Sequence, residues 1–264
     1  MTTTSADLLS TIVAAARRSV IVREQRLSRV SLEAQIERRP RGDLFENALR
    51  AGTEPRIIAE CKRRSPSRGI LREDYRPGEH AVAYERAGAA AISVLTEPTF
   101  FDGDLEHLRQ VRAAVAIPVL RKDFIVTEYQ IVEAAALGAD AVLLIVAALA
   151  DIDLRRLMAT AAALGLAALV EVHDADELAR AAHAGAHIIG VNSRNLRTLS
   201  VDRGVLDRLA PSLPRDGVAV AESGLKSAAD VRLSRDSGYH AVLVGEYLIS
   251  QADPGKALRD LRAA

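Results

Sequence analysis

The chain has 264 residues, 49% of them hydrophobic and 27% charged, with 35 basic side chains against 35 acidic ones. This is the profile of a soluble globular protein, and the balance of charge argues against a nucleic-acid or membrane-surface partner. The single cysteine, Cys61, excludes an internal disulfide and a thiolate metal cluster, and no apolar run reaches membrane-spanning length.

Residues 1–50 form an N-terminal helical extension of one or two amphipathic helices, with Leu8, Leu9, Ile12 and Val13 at helical spacing and a break at the RRPRGD stretch from Arg38. The extension is expected to cap one end of the domain that follows, with a role in oligomer contacts; a place beside the functional site is the alternative. The polar start lacks a signal-peptide layout, so a cytoplasmic protein is expected.

Residues 51–264 read as one catalytic domain. Eight apolar runs are predicted as strands at 56–62, 90–97, 118–124, 141–147, 167–173, 187–193, 218–224 and 241–246. Gly88, Gly138, Gly165, Gly185 and Gly238 stand where a helix would stop before its next strand. Helix-like segments at 104–115, 128–137, 174–184 and 227–237 begin with acidic or Ser residues and continue rich in Ala and Leu. Near-continuous apolar strands alternating with helices imply a parallel sheet, and eight such units favour an α/β fold of the (β/α)8 TIM-barrel type. An open doubly wound sheet is second, because no GxGxxG turn follows the first strand.

Titratable side chains interrupt these runs: Glu60 and Lys62 in RIIAECK, Lys122 in PVLRKDF, Glu171 in LVEVH and Glu222 in VAVAESG. A buried charge costs several kcal/mol unless paired, so charges of both signs at the ends of separate strands point to one converging catalytic site. In a barrel the C-terminal strand ends face the active site. Asn192 and Arg194 end the sixth strand, Ser223 and Gly224 follow Glu222, and Gly245 and Glu246 end the eighth. The loops after strands seven and eight suit a phosphate, through backbone N–H groups and the Ser223 hydroxyl. The loop after the first strand adds Ser65 and the basic Arg63, Arg64 and Arg68, and is expected as a lid over the site.

Each residue also has a plainer reading. Lys122 could form a rim salt bridge with Asp123, although Asp123 should point the other way. Glu171 alone could be a packing partner, Asn192 a hydrogen-bond hub, and Glu222 a group that merely holds a lysine. Cys61 alternates with Glu60 and Lys62 and should be a buried, inert thiol. His80, His107, His173, His183, His187 and His240 are scattered without a metal-binding pattern, so neither a metal nor a cofactor is expected.

The segments IIAECKRRSPSRG from Ile57, IPVLRKDFIVTEYQI from Ile117, ADAVLLIVAAL from Ala139, LVEVH from Leu169, IGVNSRNLRTL from Ile189 and VAESGL from Val220 together resemble the indole-3-glycerol phosphate synthase family. The likeness runs from about Phe45 to the last helix. It implies ring closure, decarboxylation and dehydration of 1-(2-carboxyphenylamino)-1-deoxyribulose 5-phosphate in tryptophan biosynthesis. It further implies Lys122 as general acid, Glu60 orienting it, Lys62 steering an anionic group, Glu171 moving protons, and Asn192 and Glu222 positioning the substrate. Arg194 would meet the substrate carboxylate, and Phe101 and Phe124 would flank the anthranilate ring. Ser65, Ser223, Gly224, Gly245 and Glu246, the last through its backbone, resemble the phosphate-binding set. Glu246 departs from the small residue common in relatives, and its carboxylate would repel phosphate unless it points away. The implied partner is a phosphorylated small molecule, handled by a monomer or weak homo-oligomer. A Schiff-base aldolase built on Lys122, a sugar-phosphate isomerase and a non-catalytic scaffold are the rival readings.

Overall fold

The computed structural model describes residues 7–50, 52 and 56–263. Its centre is a closed barrel of eight parallel strands: β1 (Arg56–Cys61), β2 (Ala91–Leu95), β3 (Val119–Lys122), β4 (Ala141–Ile145), β5 (Ala167–Val172), β6 (Ile188–Asn192), β7 (Val218–Glu222) and β8 (Ala241–Val244). Each strand pairs with its sequence neighbours, and β8 closes on β1 with Arg56 opposite Ala241. This is the expected (β/α)8 architecture, with strands slightly shorter than the apolar runs. The trimming has local causes. Ser223 and Gly224 turn out of the sheet at φ 69° and 76°, and Glu246 opens the short helix Glu246–Ile249 instead of ending β8.

Alternation along each strand sorts the core into two shells. Ile58, Leu120, Leu143, Leu169, Ile188, Val220 and Leu243 point into the barrel. Ile57, Ala59, Cys61, Ile92, Val94, Val142 and Leu144 pack outward with the surrounding helices. Helix starts follow the sequence cues: Ser227 accepts from the Asp230 N–H as the N-cap of Ala228–Asp236, and Asp230 reciprocates in a capping box. At the other end of such a unit, Gly165 (φ 82°) caps Asp151–Leu164 in the left-handed conformation, where a β-carbon would be strained.

Among its described residues the N-terminal extension holds three helices rather than one or two: Leu8–Arg26, Arg29–Glu33 and Gly42–Arg50. The third plugs the N-terminal mouth of the barrel, with Phe45 and Leu49 fully buried against the inner shell. Gly42 makes the close approach possible, since a β-carbon there would lie 2.4 Å from the Ala167 nitrogen. Asp140 fixes the preceding break by binding Arg38 Nη2 (2.7 Å), Arg112 Nη1 (2.9 Å) and the Arg41 N–H (3.0 Å). The first helix reaches towards the opposite end, where Leu9 and Ile12 join the apolar cluster of Phe124 and Ile145.

One buried polar network lies outside the barrel. Arg121 is fully buried and donates to Asp123 Oδ2 (2.8 Å), Thr96 Oγ1 (3.2 Å) and the Gln130 carbonyl (2.9 Å). Its Nη1 also lies 2.9 Å from Glu133 Oε2, and Glu133 in turn accepts from Arg23 of the first helix at 2.7 Å. Asp123 therefore serves Arg121 on the outer face and does not pair with Lys122.

Candidate active site

A cavity of about 780 Å³ opens at the C-terminal end of the barrel. All fourteen candidate residues line it: Glu60, Lys62, Ser65, Phe101, Lys122, Phe124, Glu171, Asn192, Arg194, Glu222, Ser223, Gly224, Gly245 and Glu246. The period of two brings them together. On β1, β3, β5, β6 and β7 the last inward-facing positions are Glu60, Lys122, Glu171, Asn192 and Glu222, one layer above the apolar filling of the barrel.

Lys122 stands at the centre. Its Nζ donates to Glu171 Oε2 at 2.9 Å and to Glu222 Oε2 at 2.7 Å. Burial acts to lower the Lys122 pKa, but Glu171, Glu222 and Glu60 outweigh it, so the amine is held protonated above the ordinary lysine range. Glu171 is pushed up by burial, yet Lys122 and then His173 overcome this and keep it ionised below the usual carboxylate range. Glu222 differs. Burial raises it, Lys122 opposes, Glu171 adds repulsion, and the carboxyl is pushed up to about 7. Two carboxylates on one lysine thus occupy different protonation regimes.

Beside this triad, Lys62 Nζ lies 2.8 Å from Glu60 Oε2. Gly245 gives Glu60 its space: a β-carbon there would fall 2.0 Å from Glu60 Oε2. Asn192 accepts from the Arg194 N–H through Oδ1 at 3.0 Å, which fixes its amide. Phe101 and Phe124 face each other across one wall, ring centroids 6.2 Å apart. The Phe101 helix, Pro98–Phe101, is held by buried Glu97, whose carboxylate accepts from the N–H groups of Thr99, Phe100 and Phe101.

At the mouth, the segment after β1 forms a short antiparallel hairpin, Arg64–Ser65 with Gly69–Ile70. Glu246 does not point away into solvent. Its Oε1 lies 2.6 Å from Arg68 Nε and its Oε2 accepts from Arg194 Nη2 at 3.1 Å. Arg194, expected against the substrate carboxylate, is thereby engaged by Glu246 and by the Leu199 carbonyl at 3.2 Å. Ser223, on a positive-φ turn with Gly224, presents its carbonyl to Ser193 Oγ at 3.1 Å.

Three contributors escaped the sequence reading. His173, two residues beyond Glu171, has Nε2 3.3 Å from Glu171 Oε1. Gly190 clears space for Glu222, and Glu97 secures Phe101. The signal for His173 was present in the strand period, because alternation puts it on the same side as Glu171.

A sequence model of the family described as indole-3-glycerol phosphate synthase matches residues 9–261. The chain is 50% identical over 260 residues to the indole-3-glycerol phosphate synthase of Mycolicibacterium gilvum, covering 98% of this chain and 95% of that protein. It is 51% identical over 254 residues to the synthase of Nocardioides sp., covering 96% and 97% of the two chains. Among solved structures, a thiamine phosphate pyrophosphorylase from Pyrococcus furiosus superposes with a TM-score of 0.62 at 19% identity, over 83% of this chain and 96% of that one. An N-acetylmannosamine-6-phosphate 2-epimerase from Clostridium perfringens does so with a TM-score of 0.58 at 15% identity, over 74% and 87%. These two likenesses speak to the fold alone. Half of all residues shared over nearly the full length, around a barrel mouth carrying this lysine–glutamate set, mean that the chain belongs to the indole-3-glycerol phosphate synthase family, decarboxylating lyases of tryptophan biosynthesis.

Proposed function

We propose that Lys122, held between Glu171 and Glu222, is the proton donor with which this synthase closes the five-membered ring of its product. The observation that carries the reading is the pair of contacts at 2.9 and 2.7 Å from one ammonium to two buried carboxylates. The substrate is 1-(2-carboxyphenylamino)-1-deoxyribulose 5-phosphate. Its aniline nitrogen drives the carboxyl-bearing ring carbon onto the sugar carbonyl, and Lys122 protonates the oxygen as negative charge develops there. The new ring then releases CO2, with the electron pair of that bond restoring the aromatic ring. Departure of the former carbonyl oxygen as water needs a second proton on that oxygen. Loss of one proton from the adjacent methylene carbon completes the indole. Glu171, ionised at neutral pH, is suited to take that proton.

Lys62 and Glu60 adjoin this centre, and Lys62 supplies positive charge for the carboxylate of the incoming substrate. Phe101 and Phe124 form the apolar wall for the anthranilate ring. The phosphate is assigned to Ser65, Ser223 and the backbone N–H groups of Gly224, Gly245 and Glu246, with Arg194 and Asn192 at the sugar and carboxylate side. The electrons move within the substrate itself, so the chemistry as written calls on orientation and proton transfer alone. Residues 51–264 act as one catalytic domain with residues 1–50 as its helical extension. The same reading takes the protein as a monomer or weak homo-oligomer working in the cytoplasm.

The aldolase reading is disfavoured by the same contacts, because a lysine held protonated by two carboxylates is no nucleophile. The test is turnover of the carboxyphenylamino-deoxyribulose phosphate, followed by indole fluorescence, with borohydride added in a parallel sample. Indole formation without trapping on Lys122 supports the reading; a borohydride-trapped adduct on Lys122 overturns it.

A further inference from the structure

Each turnover leaves the Lys122–Glu171–Glu222 cluster one proton short. Two protons reach the former carbonyl oxygen before it leaves as water, and one returns from the methylene carbon. The carboxylate departs as CO2 and leaves its electron pair behind. Each turnover therefore takes up one proton from solvent, while the substrate fills the mouth through which water would bring it. A route other than the mouth would refill the buried Lys122–Glu171–Glu222 cluster while substrate or product occupies the cavity.

His173 and Glu177 provide one. Glu171 uses Oε2 for Lys122, and its Oε1 is buried without a hydrogen-bond partner among the described residues. His173 Nε2 is likewise buried and unpartnered, and it stands 3.3 Å from that oxygen, at ion-pair distance but off the alignment of a hydrogen bond. On its other side, His173 Nδ1 lies 3.0 Å from Glu177 Oε2, which also accepts from the His173 N–H at 2.8 Å. Glu177 sits in the first turn of the helix Ala175–His183, its side chain 15% exposed. His173 is absent from the cavity wall, so it reaches the reacting atoms only through Glu171.

We infer that Glu177, His173 and Glu171 form a proton-supply relay from the protein surface to the lysine cluster. His173 gives its Nε2–H to Glu171 Oε1 and becomes a neutral ring that keeps Nδ1–H; the ring then turns, and its bare nitrogen takes one proton along the Glu177 side, while Glu171 passes the donated proton to Lys122. Glu171 from β5 and Glu177 from the following helix are the charged groups that act on His173. Burial works to discharge the ring, but the two carboxylates prevail and its pKa is raised to about 10, so the relay stands loaded at neutral pH. This inference rests on the proton-transfer role proposed above for Glu171.

The test compares H173Q, H173A, E177Q and E171Q in steady-state turnover, with thermal unfolding as a check on folding. The relay predicts a fall in kcat of about tenfold to hundredfold for H173Q, smaller than for a lost group that meets the substrate directly, with KM within twofold of the parent. It also predicts that added imidazole restores part of the kcat of H173A, and that E177Q shows a smaller loss in the same direction. Should H173Q not fold, E177Q carries the test on kcat alone. The relay is overturned if folded H173Q keeps its kcat within twofold, or if imidazole leaves folded H173A unchanged. Loss of turnover in E171Q with H173Q active sinks the relay but keeps the role of Glu171; an active E171Q sinks both.

Discussion

A β-carbon at Gly190 would fall 2.0 Å from Oε1 of Glu222, so the glycine on β6 is what lets the carboxylate on β7 lean across and reach Lys122. The two residues are on adjacent strands, and the empty volume of one defines the rotamer of the other. A Gly190→Ala substitution must displace the carboxylate or the strand. We expect kcat to fall by about a hundredfold, with a stability loss of about 1–3 kcal/mol typical of overpacking. Steady-state kinetics together with urea unfolding check this, and an alanine variant of parental kcat would show that Glu222 does not need its observed position.

Replacing Lys122 by Met removes the proposed proton donor while keeping most of the side chain's volume. Turnover should drop by at least about a thousandfold, towards the upper range for a lost general acid. The barrel should persist, because Glu171 and Glu222 can share a proton once the ammonium is gone. Far-UV circular dichroism and indole fluorescence give both answers. A variant with near-parental kcat would remove Lys122 from the mechanism.

The raised Glu222 predicts a pH effect with a definite sign. Its carboxyl is pushed up to about 7, so raising pH through neutrality adds a negative charge beside the proposed site of an anionic substrate. The ratio kcat/KM should therefore decline as pH rises through about 7, and E222Q should lose that step. The substrate phosphate itself titrates near pH ~6, but that contribution is common to both proteins. Superimposable pH profiles would assign the titration elsewhere.

Arg121 offers a separation of stability from chemistry. It is fully buried among Asp123, Glu133, Thr96 and the Gln130 carbonyl on the outer face of β3. Arg121→Leu leaves two buried carboxylates without their cation, a loss of about 3–5 kcal/mol for breaking such a network. Chemical unfolding should record this loss, while KM at permissive temperature stays within a few-fold. Unchanged stability would mean that Arg23 and local rearrangement suffice.

Glu246 holds Arg68 and Arg194 at the mouth, and in the proposed site this engagement would compete with an anionic substrate for both guanidiniums. E246Q should release them and lower KM by a few-fold, in line with the roughly 1 kcal/mol scale of partly exposed ion pairs. The effect should shrink as ionic strength rises. A KM that increases instead would give Glu246 a positive role in shaping the mouth.

Much of this protein was legible in its sequence for a physical reason. A buried strand tolerates charge only where function or pairing demands it, so Glu60, Lys122, Glu171 and Glu222 stood out against apolar surroundings. Glycine turns and helix N-caps act locally, so the alternation of helix and strand, and hence the eightfold barrel, could be read along the chain. Alternation also put Asp123 on the face away from Lys122. What the sequence could not decide were relations between residues far apart in the chain. That Gly190 yields to Glu222, that Gly245 yields to Glu60, that Glu246 binds Arg194 and that Arg23 of the extension joins the Arg121 network are consequences of strand register and helix docking. The protonation states followed the same rule: Glu171 and Glu222 are the same residue type at equivalent strand ends, yet only tertiary structure sets Lys122 between them and gives Glu222 a neighbouring carboxylate that raises it. Local patterns set by backbone geometry are written in the sequence, whereas distances of a few ångströms across a closed barrel exist only once the chain has folded.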